Sequence, residues 1–480
     1  MAITTLAPEK KLHAEEYPSD STVANENALH AMTSVATGAI SAPVVDPQLE
    51  KQAMRRFDMF LLPQLAIIIF LAYLDRTNIG NAKVFGFAEG LKLKGTEFNN
   101  LVTFFYITYI VCDVLWVISI KRFGANRVLG VAMVGWSAVT IETGFCKTYG
   151  QAMAARLLLG AFESASQAGG VIYCATTISG AFGGLIADGI QTMGRQRGLD
   201  PWRWLFIIEG VISLAFGLIS LVSIPVSAEK AWFLTPEQAE CMRRRKERDA
   251  LFKGQDKLER KHIWMALKDP LVYITCLTLF TSSLPLLGFG TFLPTIILGL
   301  GYKSVKANYL TIPIYILATL SVAFFSFLSD RQGRRALYLF IVPIPVLIGY
   351  AIALGRSKPV AGYVGMFLCG LGIFPFNCIM IAWFSTNISP DFKRSVALPL
   401  AASIANVSGL LSGQIYPAKD SPRYISGNAV SLGLEFVALV GVAVIVLLLK
   451  WRIAKKDKAL QDGNGGEREG DSALDFRYSF

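Results

Sequence analysis

The sequence predicts an all-helical protein that crosses a membrane many times. Of its 480 residues, 53% are hydrophobic and 17% are charged, and the mean hydropathy is +0.46. The apolar residues fall into twelve runs, each near the length of about 20 residues that spans a bilayer as a helix. One long polar stretch divides these runs into two sets of six. We therefore expect two pseudo-symmetric bundles of six helices each.

The order of the runs predicts the domain organisation. The runs occupy residues 57–82, 97–120, 127–146, 151–172, 174–193, 203–225, 269–298, 307–329, 336–355, 360–385, 392–416 and 428–451. The polar and Ala-rich composition of the first segment predicts disorder rather than a cleaved signal peptide. We expect a tail over 1–56, an N-terminal bundle over 57–225, a linker with an amphipathic helix over 226–268, a C-terminal bundle over 269–451 and a second tail over 452–480.

The net charge of +11 is explained by membrane topology rather than by a nucleic-acid partner. The basic residues lie mainly in short connections between apolar runs, and Arg55 and Arg56 precede the first run. Basic connections mark the cytosolic side of a membrane protein, so both termini are expected there. The bilayer is the expected macromolecular partner, and no nucleic acid is expected.

Composition also limits the available chemistry. The histidines at 13, 30 and 262 lie outside the apolar runs, and the seven cysteines show no C-x-x-C spacing. Metal sites and disulfide frameworks need such clusters, so no metal, no cofactor and no enzymatic centre is expected. Any handling of protons inside the membrane must use carboxylates.

The linker contains a helix start. Thr235-Pro236-Glu237-Gln238 has the pattern of a capping box, with Pro at the first helical position. The basic stretch 243–248 then falls on this helix. Three interpretations remain open: a contact with anionic lipid, a regulatory lever, or a solvated helix that follows the positive-inside pattern.

Two adjacent charges, Asp75 and Arg76, stand near the end of the first run. A helix that starts at Phe57 places Asp75 about 27 Å along its axis, still within a bilayer span. Each charge in such a span costs on the order of 3 kcal/mol. Either the pair reaches the headgroups at the interface, or it faces a charged substrate site inside the protein.

The fourth run carries a second charged pair. Arg156 and Glu163 are seven residues apart, which is two helical turns, so they lie on one face. That face must be buried or wet, because two charges cannot face lipid. Asn406, in the eleventh run, is a candidate to complete a site between the two bundles.

Six stretches carry a resemblance to a known family. They are Tyr73–Ala82, Arg156-x-x-x-Gly-x-x-Glu163, Ser179–Leu185, Trp202–Gly210, Asp330-Arg-x-Gly-Arg-Arg335, and Trp383-x-Ser-x-Asn387 through Tyr416. Over about residues 55–450 the chain resembles major facilitator superfamily transporters of the anion:cation symporter family. Within that family it is similar to the fungal allantoate, nicotinate and pantothenate permeases. The resemblance implies the major facilitator fold.

The resemblance also implies roles for individual residues. Asp75 and Glu163 are similar to proton-coupling carboxylates, and Arg156 to the partner of Glu163. Arg76 is similar to the ligand of a substrate anion, with Tyr73 beside it. Asn78, in the same motif, and Asn406 are the remaining candidates for substrate binding. In the loop after the eighth run, Asp330, Arg331 and Arg334, together with Arg335, are expected to latch a cytosolic gate.

Charge counting predicts how such a site works. Asp75 with Arg76 and Glu163 with Arg156 are neutral pairs when both carboxylates are ionised. An entering carboxylate competes for Arg76 and leaves an excess negative charge in a cavity of low dielectric, which proton uptake removes. Binding of anion and proton then favour each other, as symport requires. The alternatives are an exporter of a small anionic metabolite and a ligand sensor that does not transport. A monomer in the plasma membrane is expected.

One connection is shorter in the first half than in the second. The markers Gly370 and Gly409 are 39 residues apart, whereas Gly160 and Gly180 are 20 apart, a shortfall of 19 residues. We expect a truncated hairpin that turns near residues 169–175 and weakens the inner gate. An error in the gene model is the alternative explanation, and sequencing of the transcript across this region distinguishes the two.

Overall fold

The computed structural model describes residues 45–169, 173–253, 260–355, 358–462, 470–474 and 476–480. The N-terminal tail up to residue 44 lies outside the described residues. Twelve principal helices match the twelve predicted spans in order. They are α1 (Pro47–Val84), α2 (Glu97–Phe123), α3 (Ala125–Thr143), α4 (Tyr149–Glu163), α5 (Tyr173–Met193), α6 (Pro201–Ser223), α7 (Pro270–Gly299), α8 (Thr311–Gln332), α9 (Arg335–Leu354), α10 (Pro359–Thr386), α11 (Asp391–Ser412) and α12 (Ile425–Gln461).

The lengths of these helices agree with a polytopic membrane protein. Among the described residues, nine helices are long and apolar enough to cross a membrane. The other three, α3 to α5, are 19, 15 and 21 residues long. Short helices join the principal ones, including Arg260–Leu267 before α7 and Ser304–Tyr309 before α8. Helix α9 is interrupted at Val342, where a second helical segment begins at Pro343.

The chain divides into two compact units. The described part of the first comprises residues 45–64 and 224–253, and it contains the linker helix Pro236–Lys253. The predicted capping box is present, because Thr235 Oγ1 accepts from the Gln238 amide at 3.4 Å and Gln238 Oε1 accepts from the Thr235 amide at 3.3 Å. Arg248 donates to Glu50 at 3.3 Å, so the basic stretch is partly paired within this unit.

The second unit comprises residues 65–223 and 258–480 and holds both helical bundles. Helices approach closely where one presents a glycine, as expected for packing inside a membrane. A Cβ atom on Gly160 of α4 would overlap the carbonyl oxygen of Phe105 in α2, and one on Gly80 of α1 would overlap that of Thr291 in α7. The second contact joins the two halves of the chain.

Hydrogen bonds also join the halves at the end of the bundles where α1 connects to α2. Asn99 Nδ2 in α2 donates to the carbonyl oxygens of Gly413 at 2.5 Å and Tyr416 at 3.2 Å. Thr103 Oγ1, one turn further along α2, donates to the carbonyl of Leu410 at 3.1 Å. Since α2 belongs to the first half and α11 to the second, the structure is closed at this end.

The fourth and fifth helices are separate, as the shortened connection requires. Helix α4 ends at Glu163 and continues as one 3-10 segment, Ser164–Gly169, and α5 begins at Tyr173. Residues 170–172, where the turn of the expected hairpin falls, lie outside the described residues. Glu163 therefore stands where the α-helix changes to a tighter helix, a feature common at functional hinges.

Two predicted boundaries differ from the structure. Helix α1 begins at Pro47, ten residues before the expected start of the first span, because the polar stretch before Phe57 is helical as well. Helix α12 continues to Gln461 instead of ending near residue 451. The expected C-terminal tail is also partly ordered, since Trp383 Nε1 donates to the carbonyl of Ser479 at 2.8 Å and the Ser479 amide donates to Asn387 at 2.8 Å.

Candidate functional site

A cavity lies between the two halves in the middle of the second unit. The space open to water-sized molecules measures about 110 Å³. Its polar lining comes from α1, α2, the 3-10 segment, α5, α7 and α11, namely Tyr73, Arg76, Tyr109, Ser166, Tyr173, Thr176, Ser283 and Asn406. Seven apolar side chains, mainly Leu, Ile and Ala, complete the lining. Arg76 is the one charged residue among the described residues of the wall.

Arg76 reaches across the N-terminal bundle to Glu163. Its Nε and Nη2 atoms both donate to Glu163 Oε1, at 2.9 and 2.7 Å. The side chain of Glu163 is fully buried and that of Arg76 is 12% exposed, so the arginine separates the acid from the cavity. The other carboxylate oxygen of Glu163, Oε2, has no hydrogen-bond partner among the described residues.

Aromatic rings surround the guanidinium of Arg76. Its Cζ atom lies 4.6 Å from the ring centre of Tyr109, 5.4 Å from Phe105, 5.7 Å from Tyr73 and 6.0 Å from Tyr106. A cation over aromatic faces is stabilised electrostatically, and more strongly where water is excluded. These rings can hold the guanidinium in place when its carboxylate partner changes.

The remaining predicted coupling residues lie near this pair but are paired differently from the expectation. Asp75 is 1% exposed and accepts from Ser213 Oγ at 3.4 Å. Arg156 was expected to pair with Glu163, but no ion pair joins them within the described part of the chain, and Glu163 pairs with Arg76 instead. Two turns of helix separate Arg156 from Glu163 by about 10 Å along the axis, whereas Arg76 approaches sideways from α1.

The candidates for substrate binding divide into two groups. Tyr73, Arg76 and Asn406 line the cavity together, as expected from the sequence. Asn78 is 1% exposed and does not line it, and neither its amide nitrogen nor its amide oxygen has a hydrogen-bond partner in the structure described. Asn78 lies two residues after Arg76, and residues two apart on a helix point in different directions. Asn78 therefore lies off the cavity face of α1.

Sequence reasoning missed several residues of the site. Tyr109 lies four residues after Phe105 and three after Tyr106, an aromatic helical spacing that could have indicated it. Glu209 of α6 is fully buried, and neither carboxylate oxygen has a partner among the described residues. It precedes Ser213, the partner of Asp75, by one turn, so it belongs to the same polar interior of the N-terminal bundle.

The predicted gating residues form a contact within the C-terminal half. Asp330 pairs with Arg335 at 2.9 Å, and Arg335 Nη1 also donates to the carbonyl of Ala382 at 3.0 Å and to Thr386 Oγ1 at 3.1 Å. Arg331 and Arg334 are exposed and make no ion pair with another described residue. Arg335 is therefore the basic partner in this loop, and Arg331 and Arg334 are not.

Comparison with known proteins gives consistent results. The sequence profile of the Major Facilitator Superfamily matches residues 65–177 and 166–413, two stretches that overlap at the shortened connection between α4 and α5. An uncharacterized transporter of Schizosaccharomyces pombe is 38% identical over 425 residues, which cover 84% of this chain and 85% of that protein. The high-affinity nicotinic acid transporter of Saccharomyces cerevisiae is 30% identical over 494 residues, which cover 98% of this chain and 92% of that protein.

Solved structures show the same fold at low sequence identity. The D-xylose–proton symporter structure has a TM-score of 0.60 and 13% identity, covering 80% of this chain and 97% of that one. An inward-facing bacterial homologue of the human lysosomal transporter Spinster has a TM-score of 0.61 and 12% identity, covering 82% and 96%.

Proposed function

This chain belongs to the Major Facilitator Superfamily, and on that premise we propose that it is a proton-coupled symporter of a small organic carboxylate. The family is one of membrane transporters rather than enzymes. The observation that carries the proposal is the Arg76–Glu163 pair at the wall of the central cavity. In the proposal Arg76 binds the substrate anion and Glu163 takes up the coupled proton.

The geometry supports an exchange of partners at Arg76. A guanidinium presents a planar fork that holds a carboxylate through two hydrogen bonds, and here its Nε and Nη2 atoms are turned toward Glu163. A substrate carboxylate in the cavity competes for the same donors. Glu163 then loses its partner in a fully buried position, where an unpaired charge is costly. Taking up a proton removes that cost.

Binding of the anion and binding of the proton therefore favour each other. The substrate adds one negative charge to a buried group of side chains, and the proton cancels it. Asp75 and Arg156 lie in the same interior and take part in this balance in our proposal. Rocking of the two halves about the cavity would carry both ligands across the membrane.

The small volume of the central cavity and the similarity to a nicotinic acid transporter support a small monocarboxylate as the substrate. The cavity is small, the described part of its wall holds a single charged residue, and aromatic rings surround that residue. Nicotinic acid, the substrate in the name of the Saccharomyces cerevisiae relative, is a small aromatic carboxylic acid. We propose a monomer in the plasma membrane with both termini in the cytosol, because the basic connections favour that orientation.

The test is uptake by the purified chain in proteoliposomes. A panel of labelled monocarboxylates that includes nicotinate is supplied with an acidic outside, and nicotinamide serves as the neutral control. We expect one carboxylate to accumulate and a protonophore to abolish that accumulation, while nicotinamide does not accumulate. Uptake that is indifferent to the pH gradient, or that favours the amide, would contradict the proposal.

A further inference from the structure

A second cavity, here called the basic pocket, lies at the end of the C-terminal bundle where α7 begins and α12 leaves its apolar stretch. Its volume is about 350 Å³. Among the described residues, five basic side chains line it against two acidic ones, so this lining carries three net positive charges. The basic residues are Lys268, Lys393, Arg452, Lys455 and Lys456, and the acidic ones are Asp269 and Asp471.

The floor of the basic pocket is held by buried ion pairs. Lys393 Nζ lies 2.5 Å from Asp269 Oδ2 and 2.7 Å from Asp471 Oδ2, and all three side chains are about 95% buried. Arg452 also pairs with Asp269. The C-terminal segment forms one wall, because Tyr478 Oη and Lys456 Nζ both donate to the carbonyl of Asp471, at 2.8 and 2.7 Å. The pocket is therefore preorganised, and its two acids are already engaged.

The mouth of the basic pocket carries cations that are not engaged in this way. Lys268 and Lys455 are exposed, and neither makes an ion pair within the described part of the chain. Lys455 Nζ lies 5.2 Å from the ring centre of Trp451, one turn earlier on α12. Arg452 and Lys455 are three residues apart and face the same side of the helix. An anion at the mouth would meet several donors at once.

The position of the basic pocket indicates the membrane surface. The apolar stretch of α12 ends at Leu449, and the basic stretch begins at Lys450. Trp451 is 59% exposed, and Trp264, on the short helix that leads into α7, is 57% exposed. Tryptophan is enriched where a membrane protein meets the headgroups. Trp451 lines the basic pocket, and Trp264 directly precedes Met265 of its lining. A pocket for a soluble anion would not need these exposed tryptophans.

We propose that the basic pocket binds the phosphorylated headgroup of an anionic membrane lipid of the polyphosphoinositide class. Basic pockets between membrane helices recognise such headgroups through clustered Lys and Arg side chains. Lys268 and Lys455 contact the phosphates at the mouth, and Trp451 and Trp264 lie beside the glycerol and acyl region. This binding is separate from the central cavity and does not depend on the proposed substrate.

The test uses the full chain purified in detergent and a fluorescent short-chain phosphatidylinositol bisphosphate as the probe. Anisotropy measures its binding, with the unlabelled short-chain phosphoinositide, phosphatidylcholine and free inositol trisphosphate as competitors. We expect the short-chain phosphoinositide to compete strongly, the free headgroup weakly and phosphatidylcholine hardly at all. Lys268→Gln and Lys455→Gln should each weaken binding about 5-fold. Both variants should keep the melting temperature of the wild type, because the two side chains are exposed.

Lys458→Gln is the matched control, since Lys458 is exposed on the same helix and does not line the basic pocket. We expect it to retain wild-type affinity. An equal loss in Lys458→Gln would mean that general surface charge attracts the lipid, and the proposed site would be abandoned. Free inositol trisphosphate that binds as tightly as the lipid would identify a soluble phosphate ligand and overturn the assignment to a membrane lipid.

Discussion

Arg76 Nη2 lies 2.7 Å from Glu163 Oε1, and this contact joins α1 to the last residue of α4. Both side chains are largely withdrawn from solvent, and the arginine faces the central cavity on its other side. In the proposed function, a substrate anion and a buried acid are alternative partners of one guanidinium, and rearrangement at this pair links ligand binding to the charge of the protein interior.

Replacing Arg76 with lysine should weaken substrate binding at least about 10-fold, although the charge is kept. The guanidinium donates two hydrogen bonds to one carboxylate, whereas an ammonium is a point charge without the planar fork. The measurement is the concentration dependence of uptake in proteoliposomes. Arg195→Lys is the control, because that side chain is 70% exposed and lies outside the cavity. Unchanged apparent affinity in Arg76→Lys would remove Arg76 from the binding site.

Gly180→Ala should slow transport by disturbing the contact between α5 and α8. An added Cβ would lie 2.5 Å from the ring of Tyr315, closer than packed atoms allow. Overpacking of this kind costs about 1–3 kcal/mol, enough to slow the cycle at least about fivefold if the contact forms in every turnover. The initial rate of uptake measures the effect.

Gly189→Ala is the control for that substitution. Gly189 lies on the same helix, and no atom comes within 4 Å of its added Cβ. Its uptake rate should match the wild type, and its stability should be equal or slightly higher, because alanine favours the helix. Equal rates in both variants would show that the α5–α8 contact does not limit the cycle.

Asp269→Asn should destabilise the C-terminal bundle at neutral pH by about 3 kcal/mol, because it removes the shared partner of Lys393 and Arg452. Asparagine can still accept from the Leu271 amide, as Asp269 does at 2.8 Å, so the helix cap is retained. Thermal unfolding of the purified protein measures the loss. A variant as stable as the wild type at pH 7 would show that the buried pairs contribute nothing net.

The same comparison has a defined dependence on pH. Burial raises the pKa of Asp269, but the hydrogen bond from Arg452 and the nearby Lys393 outweigh burial and hold it below the usual value. An acid with a lowered pKa stabilises the fold above its unfolded pKa and loses that contribution as pH falls through the folded value. The stability difference between wild type and Asp269→Asn should therefore be constant above about pH 5 and shrink below about pH 4. Burial raises the pKa of Asp471, so the contribution of this acid to stability changes with pH in the opposite direction to that of Asp269. Asp471 is present in both proteins.

The sequence predicted the helices well because twelve apolar runs and their polar connections leave little freedom in a bilayer. Tyr73, Arg76 and Asn406, three of its candidates for substrate binding, line the central cavity, and their role there stays a prediction. The partner of Glu163 was not predictable in the same way. Spacing along α4 shows that Arg156 shares a face with Glu163. Which arginine pairs with Glu163 depends on how α1 is rotated against α4, and the sequence does not indicate that rotation.

The order in the C-terminal segment was not predicted, although the sequence carries a signal for it. Gly470–Ser472 is polar, but Phe476, Tyr478 and Phe480 follow it and pack against the core of the C-terminal bundle. Their fixed position comes from long-range partners such as Lys393 and Asn387, which lie about 80 to 90 residues earlier in the chain. Local pattern reasoning does not detect pairs of this kind.

Glu163→Gln in proteoliposomes tests the proposed coupling most directly, with exchange and accumulation of the carried carboxylate measured in parallel. The amide resembles the protonated acid and cannot release a proton, so exchange should persist while accumulation against a gradient is lost. Glu435→Gln is the matched control, because Glu435 is equally buried, lies in the other half and has no hydrogen-bond partner among the described residues. It should accumulate substrate like the wild type. Accumulation by Glu163→Gln in response to an acidic outside would contradict the role of Glu163.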